Sequence, residues 1–371
     1  MSKIKVINVI SDTNIGGAGV MLLTLAAKYD RDSFEIVTVV PTGSKLVGRL
    51  AKLSVRYIET DGIADESFSI KAVSCLLKIF REEKPQIVHT HATLSARIAA
   101  RLYGAKGVVN TRHSVFDVKK WKTFFPVKQL SGIINSALSD AIIAVSPAAK
   151  NNIIAEGVYE SKISVIYNGV AQQKQMTAEE IVAERAALGL SPTDFVCAII
   201  GRLEKIKGHE YVLDAAKYLQ SRDEDIKVLI AGTGSEQSAL ESQAKQLGLR
   251  NCILMGFVDD IYKVENIMDV QLNMSYGTEA TSLSLLEGMS LGKPAIVTDF
   301  GGNPYVIEHG TNGLVIPKKD SNDLYGAILS LKLDKDLYSS LSANAKKIYE
   351  TKFTDVRMVR GIEKIYRELL T

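Results

Sequence analysis

Two carboxylates, Glu279 and Glu287, are separated by Ala-Thr-Ser-Leu-Ser-Leu-Leu, and what they can do depends on where that segment sits. Residues 270–276 read as a buried strand, and 282–291 carry helical apolar spacing that stops at Gly292 and Pro294. Thr281 or Ser282 is the expected N-cap. Glu279 then falls in the strand-to-helix loop beside open backbone amides, and Glu287 lies more than a turn along the helix. A helix N-terminus favours a bound anion. An acid at that point is electrostatically costly unless it reads another part of the ligand, such as hydroxyls. A phosphate on the amides with a polyol beside the acids describes a sugar nucleotide.

Other chemistry-bearing residues also follow apolar runs. Gly16, Gly17 and Gly19 lie between the first strand and a helix over 20–29, where glycine lets a ligand approach the backbone. As a dinucleotide fingerprint the spacing fails, because its third glycine would fall at Leu22. That disfavours a nicotinamide oxidoreductase. Arg202 and Lys207, in Gly-Arg-Leu-Glu-Lys-Ile-Lys-Gly, offer one pyrophosphate a fixed fork and a mobile point charge, with Lys207 opening the next helix. Taken alone, such a pair reads more readily as solvated loop cations; the glycines and the two acids reverse that balance. His89-Thr-His91 and Asn110-Thr-Arg-His113-Ser each end a strand of the first half. A structural role and a functional one both remain open for His91, and the functional one is favoured for His113. With no cysteine or matched carboxylate spacing, the histidines make a poor metal site, and no metal is expected. The acidic triplet at 223–225 precedes a strand, so it reads as a solvated loop rather than a metal–diphosphate holder.

The elements that must position these residues are short apolar runs alternating with amphipathic helices. The runs fall at 5–10, 35–40, 55–59, 87–90, 108–111, 141–145 and 163–167, then at 195–200, 227–231, 252–255, 270–274, 294–298 and 314–316. Continuous rather than alternating hydrophobicity suits parallel strands buried on both faces. The class is therefore α/β, with two doubly wound, Rossmann-like domains facing across a cleft. The pattern restarts after 168–170 through a polar stretch, which places an N-terminal domain over 1–170 and a C-terminal one over 171–353. At 371 residues two cores are expected. A formal charge of +3 gives no reason to expect nucleic acid as a partner. The cysteines at 75, 197 and 252 are far apart, which fits a reducing compartment. The N-terminus runs straight into a strand and no apolar run approaches the roughly 18 residues of a membrane span. A cytoplasmic protein is expected.

With these residues in place, the chain resembles the retaining glycosyltransferases of family four, which have the GT-B architecture. The resemblance rests on the glycines at 16–17, His-Thr-His at 89–91, Thr-Arg-His at 111–113 and Ile-Tyr-Asn-Gly-Val at 166–170. It continues through Gly-Arg…Lys-Gly at 201–208, Gly-Thr-Gly at 232–234, Gly-Phe-Val at 256–258, the Glu279/Glu287 pair and Gly-Gly-Asn-Pro at 301–304. It implies that Gly16 and Gly17 approach the donor's phosphates, and that Arg202 and Lys207 neutralise the diphosphate with no metal or other cofactor. Glu287 would bind the ribose and Glu279 the transferred sugar. The amides of Thr281, Ser282 and Leu283 would face the β-phosphate, and His113 would sit near the reacting carbon. The last helix, within 354–371, would cross back to the first domain. The implied partners are a nucleotide-diphosphate sugar as donor and a glycan or glycolipid acceptor, in cell-surface polysaccharide synthesis. A nucleotide-sugar epimerase on the same fold, or a silent sugar-nucleotide-binding module, are the competing readings. The chain departs from the family pattern at Ala280, Gly288 and Tyr305, where Gly, Ala and Glu are usual.

Residues 118–128 combine the single tryptophan, Trp121, with two phenylalanines and four lysines beside His113. Aromatic and basic residues together suit an anionic membrane surface. An acceptor loop whose aromatics pack on its own domain fits equally well, so peripheral membrane association and a lipid-linked acceptor both stay open.

Overall fold

The computed structural model describes residues 3–91, 93–115, 124–222 and 225–371. The basic–aromatic segment as far as residue 123, Trp121 included, and the acidic pair at 223–224 lie outside them. The chain divides into two compact units, one of Met1–Gly169 with Asp355–Thr371 and one of Val170–Thr354.

The first unit holds a parallel sheet of seven strands: β1 (Ile4–Ile10), β2 (Phe34–Pro41), β3 (Arg56–Thr60), β4 (Ile87–His91), β5 (Gly107–Arg112), β6 (Ala141–Ala144) and β7 (Ile163–Val165). Their order is β3-β2-β1-β4-β5-β6-β7, so the winding reverses between β1 and β4. Crossover helices bury apolar stripes against the sheet; Leu76 and Phe80 of Ile70–Glu83 meet Val9, Val37 and Val88. The helix Asp355–Glu368 belongs to this unit, with Met358, Val359, Ile362, Ile365 and Tyr366 at helical spacing against Val6, Ile87, Val109 and Ile143. Each such side chain withdrawn from water contributes roughly 2 kcal/mol. The Glu363 carboxylate fixes its register by accepting from the Asp30 amide at 2.7 Å.

The second unit holds β8 (Phe195–Ile200), β9 (Ile226–Ala231), β10 (Cys252–Gly256), β11 (Val270–Asn273), β12 (Ala295–Thr298) and β13 (Gly313–Ile316). They form a six-stranded parallel sheet ordered β10-β9-β8-β11-β12-β13, and the reversal falls between β8 and β11. In doubly wound sheets ligands sit beyond the strands' carboxyl ends at that reversal. Each unit therefore has one such point, after β1 and β4 in the first and after β8 and β11 in the second. No helix among the described residues is long and apolar enough to cross a membrane.

Candidate active site

In the second unit, β8 ends at Ile200 and the chain runs through Gly201 into a single 3-10 turn, Lys205–Lys207. Lys207 does not open the next helix. Gly208 intervenes in a left-handed conformation (φ +70°), where a Cβ would lie 2.3 Å from the Met274 carbonyl oxygen, and the helix is His209–Arg222. Only glycine fits so close an approach without strain. It brings Lys207 against the loop after β11, where Nζ donates to Glu279 Oε2 at 2.8 Å. Asn273 Nδ2 and Ser275 Oγ donate to the same oxygen, at 3.3 and 3.1 Å. The sequence placed Glu279 beside open amides; the structure gives its carboxylate an ammonium and two polar side chains instead, which removes the repulsion. Behind it, Asn303 Nδ2 reaches Asn273 Oδ1 at 3.4 Å and Thr298 Oγ1 at 3.1 Å. Gly302 donates its amide to the Glu279 carbonyl, and a Cβ there would strike the Ala280 carbonyl oxygen at 1.7 Å. The Gly-Gly-Asn-Pro turn thus clamps the backbone that carries Glu279. Gly201, Lys207, His209, Asn273, Glu279 and Ser282, among others, line a small pocket at this point. The His209 ring nitrogens are buried without partners, and burial next to the Lys207 charge lowers its pKa to about 4.

The helix that follows Glu279 is Leu283–Ser290, with Ser282 as N-cap and no capping side-chain bond to its amides. Ser284 Oγ donates to the Ile200 carbonyl at 3.2 Å, tying the helix start to the end of β8. Thr281 is buried and Glu287 is half-buried. Beside Glu287, Glu265 of the helix Ile261–Ile267 is fully buried, and burial plus the Glu287 charge push its pKa up to about 9. Desolvation raises Glu287 as well. Glu265 therefore keeps its proton at neutral pH. Arg202 is an exposed side chain ion-paired with Glu204.

In the first unit, β1 leads to Gly16 and Gly17 at the start of the helix Gly17–Lys28. A Cβ on either glycine would meet no protein atom within 4 Å, so packing does not demand glycine at these positions. The parallel register sets Asn8 opposite His89 and His91 opposite Thr111. Period-two alternation places His89 and His91 on one face of β4. His113 follows β5, and its Nε2 lies 3.0 Å from His91 Nδ1, the rings stacked at 5.2 Å. His91 Nε2 meets Asn8 Oδ1 at 3.3 Å. The His89 ring lies 4.3 Å from that of His91, tilted by 34°, and spans Tyr366 Oη at 2.6 Å and Thr111 Oγ1 at 2.7 Å. Burial lowers all three pKa values, to about 3 for His89 and about 4 for His113 and well below the usual range for His91, so the stack is neutral. Among the described residues no group of three or more His, Cys, Asp or Glu is arranged to hold a metal ion.

Known proteins resolve what this arrangement belongs to. Residues 15–174 match the family described as Glycosyltransferase Family 4, and residues 181–348 match Glycosyl transferases group 1. The UDP-Gal:alpha-D-GlcNAc-diphosphoundecaprenol alpha-1,3-galactosyltransferase of Escherichia coli is 30% identical over 311 residues, 81% of this chain and 80% of that protein. The chain belongs to the family 4 glycosyltransferases. Another relative, the capsular polysaccharide biosynthesis glycosyltransferase CapM of Staphylococcus aureus, is 26% identical over 81% of each chain. The crystal structure of HepE from Anabaena with UDP and glucose superposes with a TM-score of 0.84 at 21% identity, covering 98% of this chain and 99% of that one, which shows the GT-B fold.

In this glycosyltransferase the structure gathers Lys207, Glu279, Ser282 and the start of the helix Leu283–Ser290 around one loop, with Glu287 further along that helix. Gly16, Gly17 and His113 belong to the other unit. Sequence reasoning missed Asn273 and Ser275, which hold Glu279, and Asn303, which supports Asn273, as well as Glu265 and Asn8. Asn8 and Asn273 carried a usable signal, being polar residues inside apolar strands. Glu265 carried none.

Proposed function

We propose that this glycosyltransferase moves a sugar, with retention of its anomeric configuration and without a metal, from a nucleoside-diphosphate donor to a glycan or lipid-linked glycan. The contact of Lys207 with Glu279 at the mouth of the helix carries the reading. When the donor's diphosphate takes the Lys207 ammonium, the Glu279 carboxylate is freed for hydroxyls of the transferred sugar. Lys207, the Arg202 guanidinium turned from Glu204, and the amides of Thr281, Ser282 and Leu283 then meet charge that grows on the leaving diphosphate. Donors aimed in advance at developing charge supply the greatest share of the rate enhancement in many enzymes. As the bond from C1 to the diphosphate oxygen breaks, the acceptor hydroxyl bonds C1 from the same face and its proton passes to the departing phosphate. Glu287 binds the ribose hydroxyls, Gly16 and Gly17 admit the phosphates, and His113 meets the sugar. The donor named for the Escherichia coli relative and the UDP held by HepE support a UDP-sugar.

A lipid-linked acceptor at a membrane surface is supported by the helix Val127–Leu138. This helix buries its small residues, Gly132 and Ser136, and exposes Val127, Leu130, Ile133 and Ile134, with Phe124 and Phe125 bare just before it. Gly132 seats directly on Gly157, where a Cβ would meet the carbonyl oxygen at 1.9 Å. An apolar face turned outward is what an acyl boundary takes up. The relative named for a diphosphoundecaprenol acceptor points the same way.

The test is product analysis with UDP-, GDP- and ADP-sugars and a lipid-diphosphate glycan, in EDTA. A new glycosidic bond with the donor's anomeric configuration is expected. An inverted anomer, a strict need for Mg²⁺ or Mn²⁺, or free epimerised nucleotide sugar in place of transfer would each reject the reading. For the surface, wild-type protein should co-sediment with anionic liposomes, and Leu130→Ser/Ile134→Ser should not; equal sedimentation of the two would remove the helix from the acceptor side.

A further inference from the structure

The buried chain from Asn8 through His91 to His113 has a direction. The Asn8 amide oxygen faces His91 Nε2 at 3.3 Å, and an amide oxygen only accepts, so the His91 hydrogen is on Nε2. The ring is neutral, so its Nδ1 is a bare lone pair. That lone pair lies 3.0 Å from His113 Nε2. Two bare nitrogens would repel at this distance, so His113 carries its hydrogen on Nε2. A neutral His113 is then left with a bare Nδ1, and this atom is buried without a hydrogen-bond partner. Leaving such an acceptor unpaired is costly. Packing of His91 between the tilted His89 ring and the stacked His113 ring keeps the rings from turning, and Tyr366 and Thr111 fix His89 in turn.

We propose that Asn8 and His91 are positioning residues that hold His113 as the Nε2–H tautomer and present its bare Nδ1 as an acceptor to a hydroxyl of the sugar being transferred. This rests on the reading above that His113 meets that sugar. An acceptor is the right polarity for such a place. As C1 gains positive charge, the sugar's hydroxyls become more acidic, and hydrogen bonds they donate strengthen in the transition state relative to the ground state. An N–H group at the same place would donate to the hydroxyl oxygen and oppose that charge. The neutrality that the argument needs agrees with burial holding His113 down to about 4. Turning the Asn8 amide over would reverse every donor in the chain and leave His113 with hydrogen on Nδ1.

The experiment reads the hydrogen directly. Nitrogen-15 NMR of the full-length protein, labelled in the rings of its 5 histidines and assigned by single substitutions, distinguishes protonated from bare ring nitrogens. His113 protonated at Nε2 and bare at Nδ1 is expected; hydrogen on Nδ1 overturns the proposal. Asn8→Ala should mix the two tautomers and lower kcat about five- to tenfold, the worth of one net hydrogen bond, with donor KM changed less than about twofold. Asn8→Asp, whose carboxylate only accepts, should restore the tautomer and most of kcat. Full kcat in Asn8→Ala, or an Asn8→Asp as slow as the alanine variant, overturns it as well. His113→Ala separates the two levels. If it turns over normally, the functional reading of His113 fails with the proposal; if it is slow while wild-type His113 carries hydrogen on Nδ1, only the relay fails.

Discussion

Where the first sheet reverses, its polar centre is a stack of three neutral imidazoles; where the second reverses, it is an ion pair next to a pair of acids. Both places are buried and both follow parallel strands, yet they handle desolvation differently. The first avoids charge altogether: His89, His91 and His113 give up protonation and make neutral hydrogen bonds, His91 to His113 and Asn8 and His89 to Tyr366 and Thr111, leaving only His113 Nδ1 unpaired. The second keeps charge by pairing it, Lys207 with Glu279, and lets Glu265 retain a proton where pairing fails. A neutral cluster suits reading hydroxyls, because nothing needs to reorganise when a neutral group arrives. A paired ammonium suits a diphosphate, because the arriving anion can exchange one partner for another.

The largest effect that could break this contrast lies at the ion pair. Lys207→Ala should lower kcat on the order of 100- to 1000-fold, since loss of one donor aimed at developing charge costs about 3–4 kcal/mol. Arg202→Ala should act in the same direction. His113→Ala removes a neutral hydrogen bond and should cost less, on the order of tenfold. Steady-state kinetics on all three tests the order. A His113 variant slower than the Lys207 variant would put the dominant electrostatics in the wrong unit.

The next effect is on stability. The histidines have folded pKa values of about 3 for His89 and about 4 for His113, below the ordinary 6.5. As pH falls from 6.5 toward 4 the unfolded chain gains protons that the folded stack refuses, so stability is lost in acid, on the order of 3 kcal/mol for His113. Glu265 behaves oppositely. Its folded value of about 9 lies above the ordinary 4.5, so the folded state keeps a proton the unfolded chain has released. Stability therefore falls as pH rises from 4.5 toward 9. His209 gives the second unit an acid loss too, since its value is lowered to about 4. Peptide-resolved hydrogen exchange at pH 5, 7 and 8.5 should show acid weakening in the first unit and alkaline weakening in the second above pH 7. No acid weakening is expected in the second, where the Glu265 gain offsets the His209 loss between pH 7 and 5. Glu265→Gln should abolish the alkaline loss; a profile that Glu265→Gln leaves unchanged would mean that Glu265 does not hold its proton.

A smaller effect is expected on donor binding. Ribose hydroxyls do not change between ground and transition states, so Glu287→Ala should raise donor KM about tenfold with kcat nearly constant. Calorimetry showing normal donor affinity would remove Glu287 from the ribose.

How much of this was legible in the sequence follows from what each feature depends on. Apolar runs on a period set by burial on both faces gave every strand of both sheets, because a parallel strand needs little beyond continuous hydrophobicity. The Glu279/Glu287 spacing and its strand-to-helix setting were readable for the same local reason. The 3-10 turn at Lys205–Lys207 was not, since its stop depends on Gly208 meeting the Met274 carbonyl across the sheet. Nor was the environment of Glu279, where Lys207 arrives from a distant segment and Asn303 from another supports Asn273 behind it. Polar residues in apolar runs announced that something was there without saying what they would bond.

The departure at Gly288, where the family usually has Ala, shows the same dependence on a distant partner and makes the smallest prediction. A Cβ at 288 would lie 2.1 Å from Gln271 Oε1 and 3.0 Å from Met268 Cε. Gln271 is fully buried on β11 with neither amide atom paired, so glycine at 288 makes room for a long polar side chain under the helix that carries Glu287. The obstructing atom is the end of a side chain rather than backbone, so the cost of adding the methyl group is at the low end for overpacking. Gly288→Ala should lower stability by about 1 kcal/mol. Shortening the obstruction should remove that cost: in a Gln271→Ala background the added methyl should be nearly neutral, a coupling of about 1 kcal/mol between residues in contact. Chemical denaturation of the two single variants and the double variant measures it. Strict additivity would mean that Gln271 turns aside without loss, and that glycine at this position has no packing reason.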